Sequence, residues 1–92
     1  MKNNIYLRNK RIYQKYLSKA IYFLNRKVIK SEKQYLSLIK IFCRRYELKY
    51  DIDFIKSILS EHNMVIDYSR IKKIDLIRKI ALICLRIKIF RI

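Results

Sequence analysis

Neither glycine nor proline occurs anywhere in the chain. Tight hairpin turns need residues that accept a positive φ, and many loops depend on proline, so a fold of strands and turns is hard to build from this sequence. Hydrophobic residues make up 52% of the 92 positions, which is enough for one domain with a modest core. We therefore expect an all-α protein, with one long basic N-terminal helix followed by a small helical domain of three to four helices.

Residues 5–30 show the clearest helical periodicity. One side would carry Arg8, Arg11, Lys15, Lys19, Arg26 and Lys30, and the other Tyr6, Tyr13, Leu17, Ala20, Leu24 and Val28. No acid precedes Glu32, so residues 1–31 hold nine basic groups with no opposite charge among them. A solvated helix face usually mixes both signs. The pattern therefore predicts a long helix over residues 1–31 whose cationic stripe faces an external anion, with residues 32–92 forming the helical domain.

The boundaries of the later helices are predicted from capping residues. Ser31 and Gln34 form a capping box for a second helix over about residues 32–49. Asp53 is expected to cap a third helix over 53–61, and Glu61-His62-Asn63 to form the turn after it. Asp67 or Ser69 would begin the last helix.

The last helix combines an apolar side with further cations. The apolar side would hold Ile74, Ile77, Ala81 and Cys84, and a second cationic stripe would hold Lys72, Lys79 and Arg86. Beyond Ile80 apolar residues surround the helix, which predicts burial on several sides or contact with another protein. Residues 85–92 also alternate with a period of two, as a strand would, but helix is favoured.

The formal net charge of +16 is far larger than solubility requires. A field of this size attracts polyanions, and the release of counterions from phosphates makes such binding strong and sensitive to salt. Nucleic acid is the first partner to consider. Two alternatives stay open: a basic amphipathic helix lying on an anionic membrane surface, and a helix-turn-helix made by the last two helices on DNA. No membrane-spanning segment or signal peptide is expected.

Catalytic and metal chemistry find little support in the sequence. His62 has no serine, cysteine or carboxylate partners at a recognisable spacing, and Asp51 and Asp53 are explained by helix capping. Cys43 and Cys84 are separated too widely for a typical zinc site, so buried, unreactive thiols are expected. We expect no enzyme activity, no cofactor, no bound metal and no small-molecule substrate.

A set of positions over about residues 8–77 matches a known family pattern in an ungapped register: Arg8, Arg11, Gln14, Lys19-Ala20-Ile21, Phe23, Arg26, Lys33, Gln34, Tyr35, Leu38-Ile39, Ile52-Asp53-Phe54 and Ile66-Asp67-Tyr68-Ser69-Arg70. In this register the chain resembles the L-twenty family of bacterial-type large-subunit ribosomal proteins without its N-terminal arm. In this register Asp53 and Ser69 fall on the family's capping positions and Asp51 on its turn glycine. Ile39 replaces the family's tryptophan, and the Asp-Pro break near residue 80 is absent. The S-twenty family of the small subunit, a three-helix bundle, is the nearest alternative, with its Val-Ile turn on Val65-Ile66.

Either resemblance implies a ribosomal protein that binds ribosomal RNA and contacts neighbouring ribosomal proteins. The L-twenty resemblance implies a role in assembly of the large subunit. The cations expected at RNA phosphates are Arg8, Lys10, Arg11, Lys15, Lys19, Arg26, Lys27, Lys30, Arg44, Arg45, Arg70, Lys72, Lys73, Lys79 and Arg86. Tyr50 and Tyr68, beside turns, are the candidates for stacking on bases. The abundance of Ile, Lys, Asn and Tyr is typical of an A+T-rich genome, such as a plastid, a mitochondrion or a reduced bacterium.

Overall fold

A computed structural model shows a four-helix protein. The helices are α1 (Lys2–Leu24), α2 (Glu32–Arg45), α3 (Ile52–His62) and α4 (Lys73–Phe90). The structure describes the backbone of residues 2–62 and 66–90 and the side chains of residues 9–61 and 66–89. No strand occurs within those ranges, which confirms the predicted all-α class. Asn63, and with it the end of the predicted 61–63 turn, lies outside the described residues, and His62 still belongs to α3.

The first helix is shorter than predicted, because it ends at Leu24 and not near residue 30. The amide of Lys27 donates to the carbonyl of Leu24 at 3.0 Å and closes a turn, after which the chain is extended. The turn buries Ile29, of which 8% is exposed, and leaves Val28 69% exposed. In a continuous helix Val28 would lie on the same side as Leu24 and be buried, and Ile29, about 100° further around the axis, would be more exposed. The structure shows the reverse, so the predicted apolar stripe was wrong at its last member, Val28.

The two longest helices, α1 and α4, pack against each other. The Lys73 Nζ at the start of α4 donates to the carbonyl of Asn25, just after the end of α1, at 3.3 Å, so the two helices run antiparallel. Tyr16, Ala20 and Leu24 of α1 are buried in this contact. Ala20 has no exposed surface, and its small side chain lets the two backbones approach closely. All four helices contribute to one hydrophobic core.

The second helix begins as predicted and ends early. Ser31 Oγ accepts from the amide of Gln34 at 3.2 Å, while Gln34 Oε1 accepts from the amide of Lys30 at 2.8 Å. The helix ends at Arg45 instead of residue 49, because Glu47 adopts a left-handed conformation with φ of 57°. The amide of Leu48 then donates to the carbonyl of Cys43 at 2.8 Å. This is a Schellman ending built without glycine, and buried Leu48 packs under it.

The cap of α3 is Asp51, so the prediction of Asp53 was wrong. Asp51 Oδ1 accepts from the amides of Asp53 at 3.1 Å and Phe54 at 3.2 Å. With the cap at Asp51, Ile55 and Ile58 fall on the buried side of the helix. Asp53 lies in the first turn, where its negative charge still favours the helix N-terminus.

The last helix begins later than predicted, at Lys73. Neither Asp67 nor Ser69 caps it, because the two are engaged in a separate turn. Asp67 Oδ1 accepts from the amide and the hydroxyl of Ser69 at 3.0 and 2.6 Å, and the hydroxyl bond is the main reason that the pKa of Asp67 is lowered. The carbonyl of Asp67 accepts from the amides of Arg70 and Ile71. The turn therefore satisfies its own polar groups before α4 starts.

The last helix is the centre of the molecule. Ile80, Ala81, Ile83, Cys84 and Ile87 are all buried, as predicted from the apolar residues that surround the helix, whereas Ile74, expected on its apolar side, is 38% exposed. The backbone is helical through Phe90, which agrees with the helix favoured over a strand, and Arg91 and Ile92 lie outside the described residues.

The two cysteines are unpaired thiols in this core. Cys43 and Cys84 are both free and buried, as predicted. Burial raises the pKa of the Cys43 thiol to about 11, and burial, more than the nearby Cys43, also raises the pKa of Cys84. A thiol that keeps its proton at neutral pH is a poor nucleophile and a poor metal ligand.

Candidate nucleic-acid interface

The outward side of α1 carries exposed cations. Because Tyr16, Ala20 and Leu24 face the core, residues about 180° away around the axis face solvent. Arg11 and Lys15 lie there and are exposed. Lys10 is also exposed, on the flank of α1, while the side chain of Arg8 lies outside the described residues. The prediction placed Arg11 and Lys15 on one cationic stripe, and the packing of α1 on α4 turns both away from the core.

The C-terminal end of α2 extends this cationic surface. Lys19 Nζ lies 4.5 Å from the ring centroid of Tyr46, and the Arg45 guanidinium lies 5.6 Å from the ring centroid of Phe23. Each cation therefore rests on an aromatic ring of the other helix, so α1 and α2 form one surface. We call Arg11, Lys15, Lys19 and Arg45 the basic face.

A group of aromatic rings supports the basic face from below. The ring of Phe42 lies 5.3 Å from that of Phe23, 6.4 Å from that of Tyr16 and 4.7 Å from that of Tyr46. Lys15 Nζ also lies 5.7 Å from the centroid of Tyr16. Cation–π contacts of this kind hold the charged ends of the side chains over the faces of the rings. The face is therefore a row of cations on a rigid apolar support.

Carboxylates lie close to the cations of the C-terminal half of the chain. Arg70 pairs with Asp67 at 3.7 Å, Arg78 with Asp75 at 3.9 Å, and Arg86 with Glu61 at 3.1 Å. Among the side chains that the structure describes, the basic face makes no ion pair of this kind. Within the described ranges, its positive charge is therefore not neutralised by an ion pair.

The other predicted RNA-binding residues are divided between exposed and engaged positions. Arg26, Lys27 and Lys30 are exposed in the connection after α1, Arg44 is exposed at the end of α2, and Lys72 is exposed just before α4. Three others take part in contacts within the chain: Arg70 with Asp67, Lys73 with the Asn25 carbonyl, and Arg86 with both carboxylate oxygens of Glu61. Lys79 is half-buried. Lys72 precedes α4, so the helix itself holds only two members of the predicted second stripe.

The tyrosines are placed differently from the prediction. Tyr50 and Tyr68 are half-buried, and the Tyr68 ring lies 6.0 Å from that of buried Tyr35. Burial raises the pKa of Tyr68 to about 12. Among the described tyrosines the exposed one is Tyr22, with 80% of its surface accessible, and the sequence analysis did not select it. Its position three residues after Lys19 and seven after Lys15, on the cationic side of the helix, is the sequence signal that could have identified it.

An open groove lies where α2 begins. Its volume is about 380 Å³, and it is lined by Lys27, Val28, Ser31, Lys33, Gln34, Ser37 and Leu38. The positive charges of Lys27 and Lys33 favour the binding of an anion in this groove.

Within the described ranges, no group of three or more His, Cys, Asp or Glu side chains could hold a metal ion, and the side chain of His62 is outside those ranges. No helix in the described part of the chain is long and apolar enough to cross a membrane.

Comparison with known proteins gives no match: no family model fits the chain, and no curated protein or solved structure resembles it significantly.

Proposed function

We propose that this chain is a structural protein of the ribosome that binds ribosomal RNA by neutralising phosphates along its basic face. The observation that carries the proposal is the separation of charges: three arginines of the C-terminal half pair with carboxylates, while among the described side chains no ion pair is made by Arg11, Lys15, Lys19 or Arg45. Phosphates would supply the missing counter-charge. Contacts of this kind position a protein on RNA without reading its sequence.

Membrane binding is a weaker alternative because of the way α1 is packed. A helix that lies on a bilayer inserts its apolar side into the lipid. In this protein Ala20 and Leu24 on that side are fully buried against the core. Among the described residues, the large apolar side chains that remain exposed near the cations are few, such as Ile21, Tyr22 and Val28.

DNA recognition by a helix-turn-helix is also disfavoured. Such a motif needs a recognition helix that projects into the major groove with free polar side chains. The candidate helix is α4, which is the central helix of the core, with Ile80, Ile83 and Ile87 buried. Two of its arginines, Arg78 and Arg86, are paired with carboxylates. The helix offers little surface for reading bases.

The subunit is a separate question. The L-twenty resemblance favours the large subunit and a part in its assembly. One observation favours the small subunit as a second candidate: α1 packs antiparallel along α4 as a member of a bundle, which is closer to the bundle implied by the S-twenty resemblance.

Sedimentation of a lysate from the source organism, with the protein detected by antibody, tests this proposal. Co-migration with the large subunit supports the first candidate and co-migration with the small subunit the second. Ribonuclease treatment should release the protein from either particle, because the proposed contacts are to RNA. Recovery with membranes, or as free protein before ribonuclease treatment, would contradict the proposal.

A further inference from the structure

Tyr22 is the most exposed large apolar side chain among those described, with 80% of its surface accessible. The other aromatic residues of α1 that the structure describes pack on the core: Tyr16 is buried, and Tyr13 and Phe23 are half-buried against it. Most of the Tyr22 surface is therefore open to a ligand. It has no role in the packing that holds α1 to α4.

Cations surround this ring along the helix surface. At 100° per residue, Tyr22 lies within about 20° of Arg11 and Lys15 around the axis of α1, and about 60° from Lys19. Lys15 is about 10 Å away along the axis, and Lys19 is one turn away. Tyr22 thus belongs to the same surface as the basic face. All charged side chains before Glu32, in α1 and in the connection after it, are positive.

We propose that Tyr22 is a stacking platform for an unpaired base of the bound RNA, with Lys15 and Lys19 holding the phosphates that flank that base. This inference rests on the proposed function, which it deepens by naming the kind of RNA segment. A base in a continuous duplex is stacked on both sides, whereas a base in a loop or bulge can stack on an aromatic ring. The charge around the ring matches a polyanion better than the neutral surface of another protein.

The chain contains no tryptophan, which makes a direct test available. Tyr22→Trp introduces a single indole on the basic face, whose fluorescence is quenched when a base stacks on it. The control is Ile21→Trp on the same turn, about 100° around the axis, where the native side chain is 45% exposed. The probes are a single-stranded RNA of about 12 nucleotides and a blunt RNA duplex of the same length.

We expect strong quenching of the tryptophan at position 22 by the single strand, and weak quenching by the duplex or at position 21. Tyr22→Ala should lower the affinity for the single strand by about 5- to 100-fold, and Tyr22→Phe should retain it. The salt dependence of duplex binding should be the same in the Tyr22→Ala variant as in the unaltered protein, because the phosphate contacts remain.

Three other results would contradict the stacking site alone or both proposals together. Salt-dependent RNA binding that is unchanged in Tyr22→Ala, with no selective quenching at position 22, overturns the stacking site and leaves the proposed function standing. Absence of salt-dependent RNA binding by the unaltered protein overturns both. A blue shift of the emission at position 22 with anionic vesicles, without quenching by RNA, would assign the surface to lipid and contradict the inference.

Discussion

Helices α1 and α4 pack against each other, yet they use their charges differently. On α4, Arg78 and Arg86 pair with Asp75 and Glu61, and the rest of the helix is largely buried. On α1, the buried side is narrow, and Arg11 and Lys15 stand exposed with no carboxylate paired to them among the described side chains. One helix therefore carries the core, and the other presents the charge.

This difference locates the surplus of charge more closely than composition could. A net charge of +16 on 92 residues would be spread over the whole surface if all cations were equivalent. The ion pairs of Arg70, Arg78 and Arg86 neutralise part of the positive charge in the C-terminal half of the chain. The predictions below test whether stability depends on α4 and binding on α1.

Truncation of a core isoleucine of α4 should have the largest effect. We expect Ile83→Ala to lower the free energy of unfolding by about 2–5 kcal/mol, because Ile83 is fully buried and the cavity would be left unfilled. Urea unfolding followed by circular dichroism measures the change. The control is Ile21→Ala on α1, where the side chain is 45% exposed and the expected loss is below about 1 kcal/mol. Equal losses at the two positions would contradict the division between the helices.

The thiols of the core give a pH-dependent test. In the unfolded chain a thiol loses its proton near pH 9.0, while folded Cys43 keeps it to about 11. The folded state binds more protons in that interval, so the free energy of unfolding should fall as the pH rises through it. The urea midpoint at about pH 8 and pH 10 measures this slope.

The double variant Cys43→Ala and Cys84→Ala is the control for this pH effect and should lose most of the slope. In that variant a smaller pH dependence of the free energy of unfolding should remain at higher pH, because the pKa of Tyr68 is also raised in the folded protein. A thiol reagent at pH 8 should label neither cysteine in the folded protein and both after unfolding. Rapid labelling of the folded protein would show that the α4 core is open.

Loss of the carboxylate partner of Arg86 should have a moderate effect. We expect Glu61→Gln to lower the free energy of unfolding by about 0.5–1 kcal/mol, since the pair is partly exposed and screened by solvent. The same change should leave the affinity for RNA unchanged or slightly higher, because it removes a negative charge. A fall in affinity would mean that the pair itself contributes to binding. The control is Glu32→Gln, which removes the same charge at an exposed position.

An effect of similar size is expected at the end of α2, which positions Arg45 on the basic face. Glu47→Gly should have a free energy of unfolding about 0.5–1 kcal/mol above that of Glu47→Ala, because glycine adopts the left-handed conformation without the cost that a Cβ atom brings, while both variants lose the same side-chain interactions. Glu47→Ala removes the same charge and keeps the Cβ atom, so it is the matched control. Thermal unfolding compares the two variants. Equal stability of the two variants would contradict a cost of the Cβ atom at this position.

The sequence predicted what depends on local periodicity. The all-α class follows from the missing glycine and proline, and burial of Ala20 and Leu24 follows from their place on the predicted apolar side of α1. Ser31 as the cap of α2 follows from its relation to Gln34. Features of this kind depend on residues three or four apart, which one helix turn brings together.

Features that depend on tertiary contacts could not be predicted in the same way. The end of α1 at Leu24 depends on the burial of Ile29, and the pairing of Arg86 with Glu61 joins residues that are 25 positions apart. The cap at Asp51 depends on which face of α3 meets the core. At the basic face, Arg11, Lys15 and Lys19 share one helix, and their common side was predicted from its periodicity. The contact of Arg45 with Phe23 depends on how α2 packs on α1, which local periodicity does not give.

The most direct test of the division between α1 and α4 is the salt dependence of RNA affinity for two matched variants. Arg11→Gln removes an unpaired cation from α1, and Arg78→Gln removes an arginine from α4 that pairs with Asp75 and whose side chain is 61% exposed. The plot of log affinity against log salt should become shallower by about 0.7–0.9 for Arg11→Gln and remain unchanged for Arg78→Gln. Equal slopes for the two variants, or a loss confined to Arg78→Gln, would contradict the account.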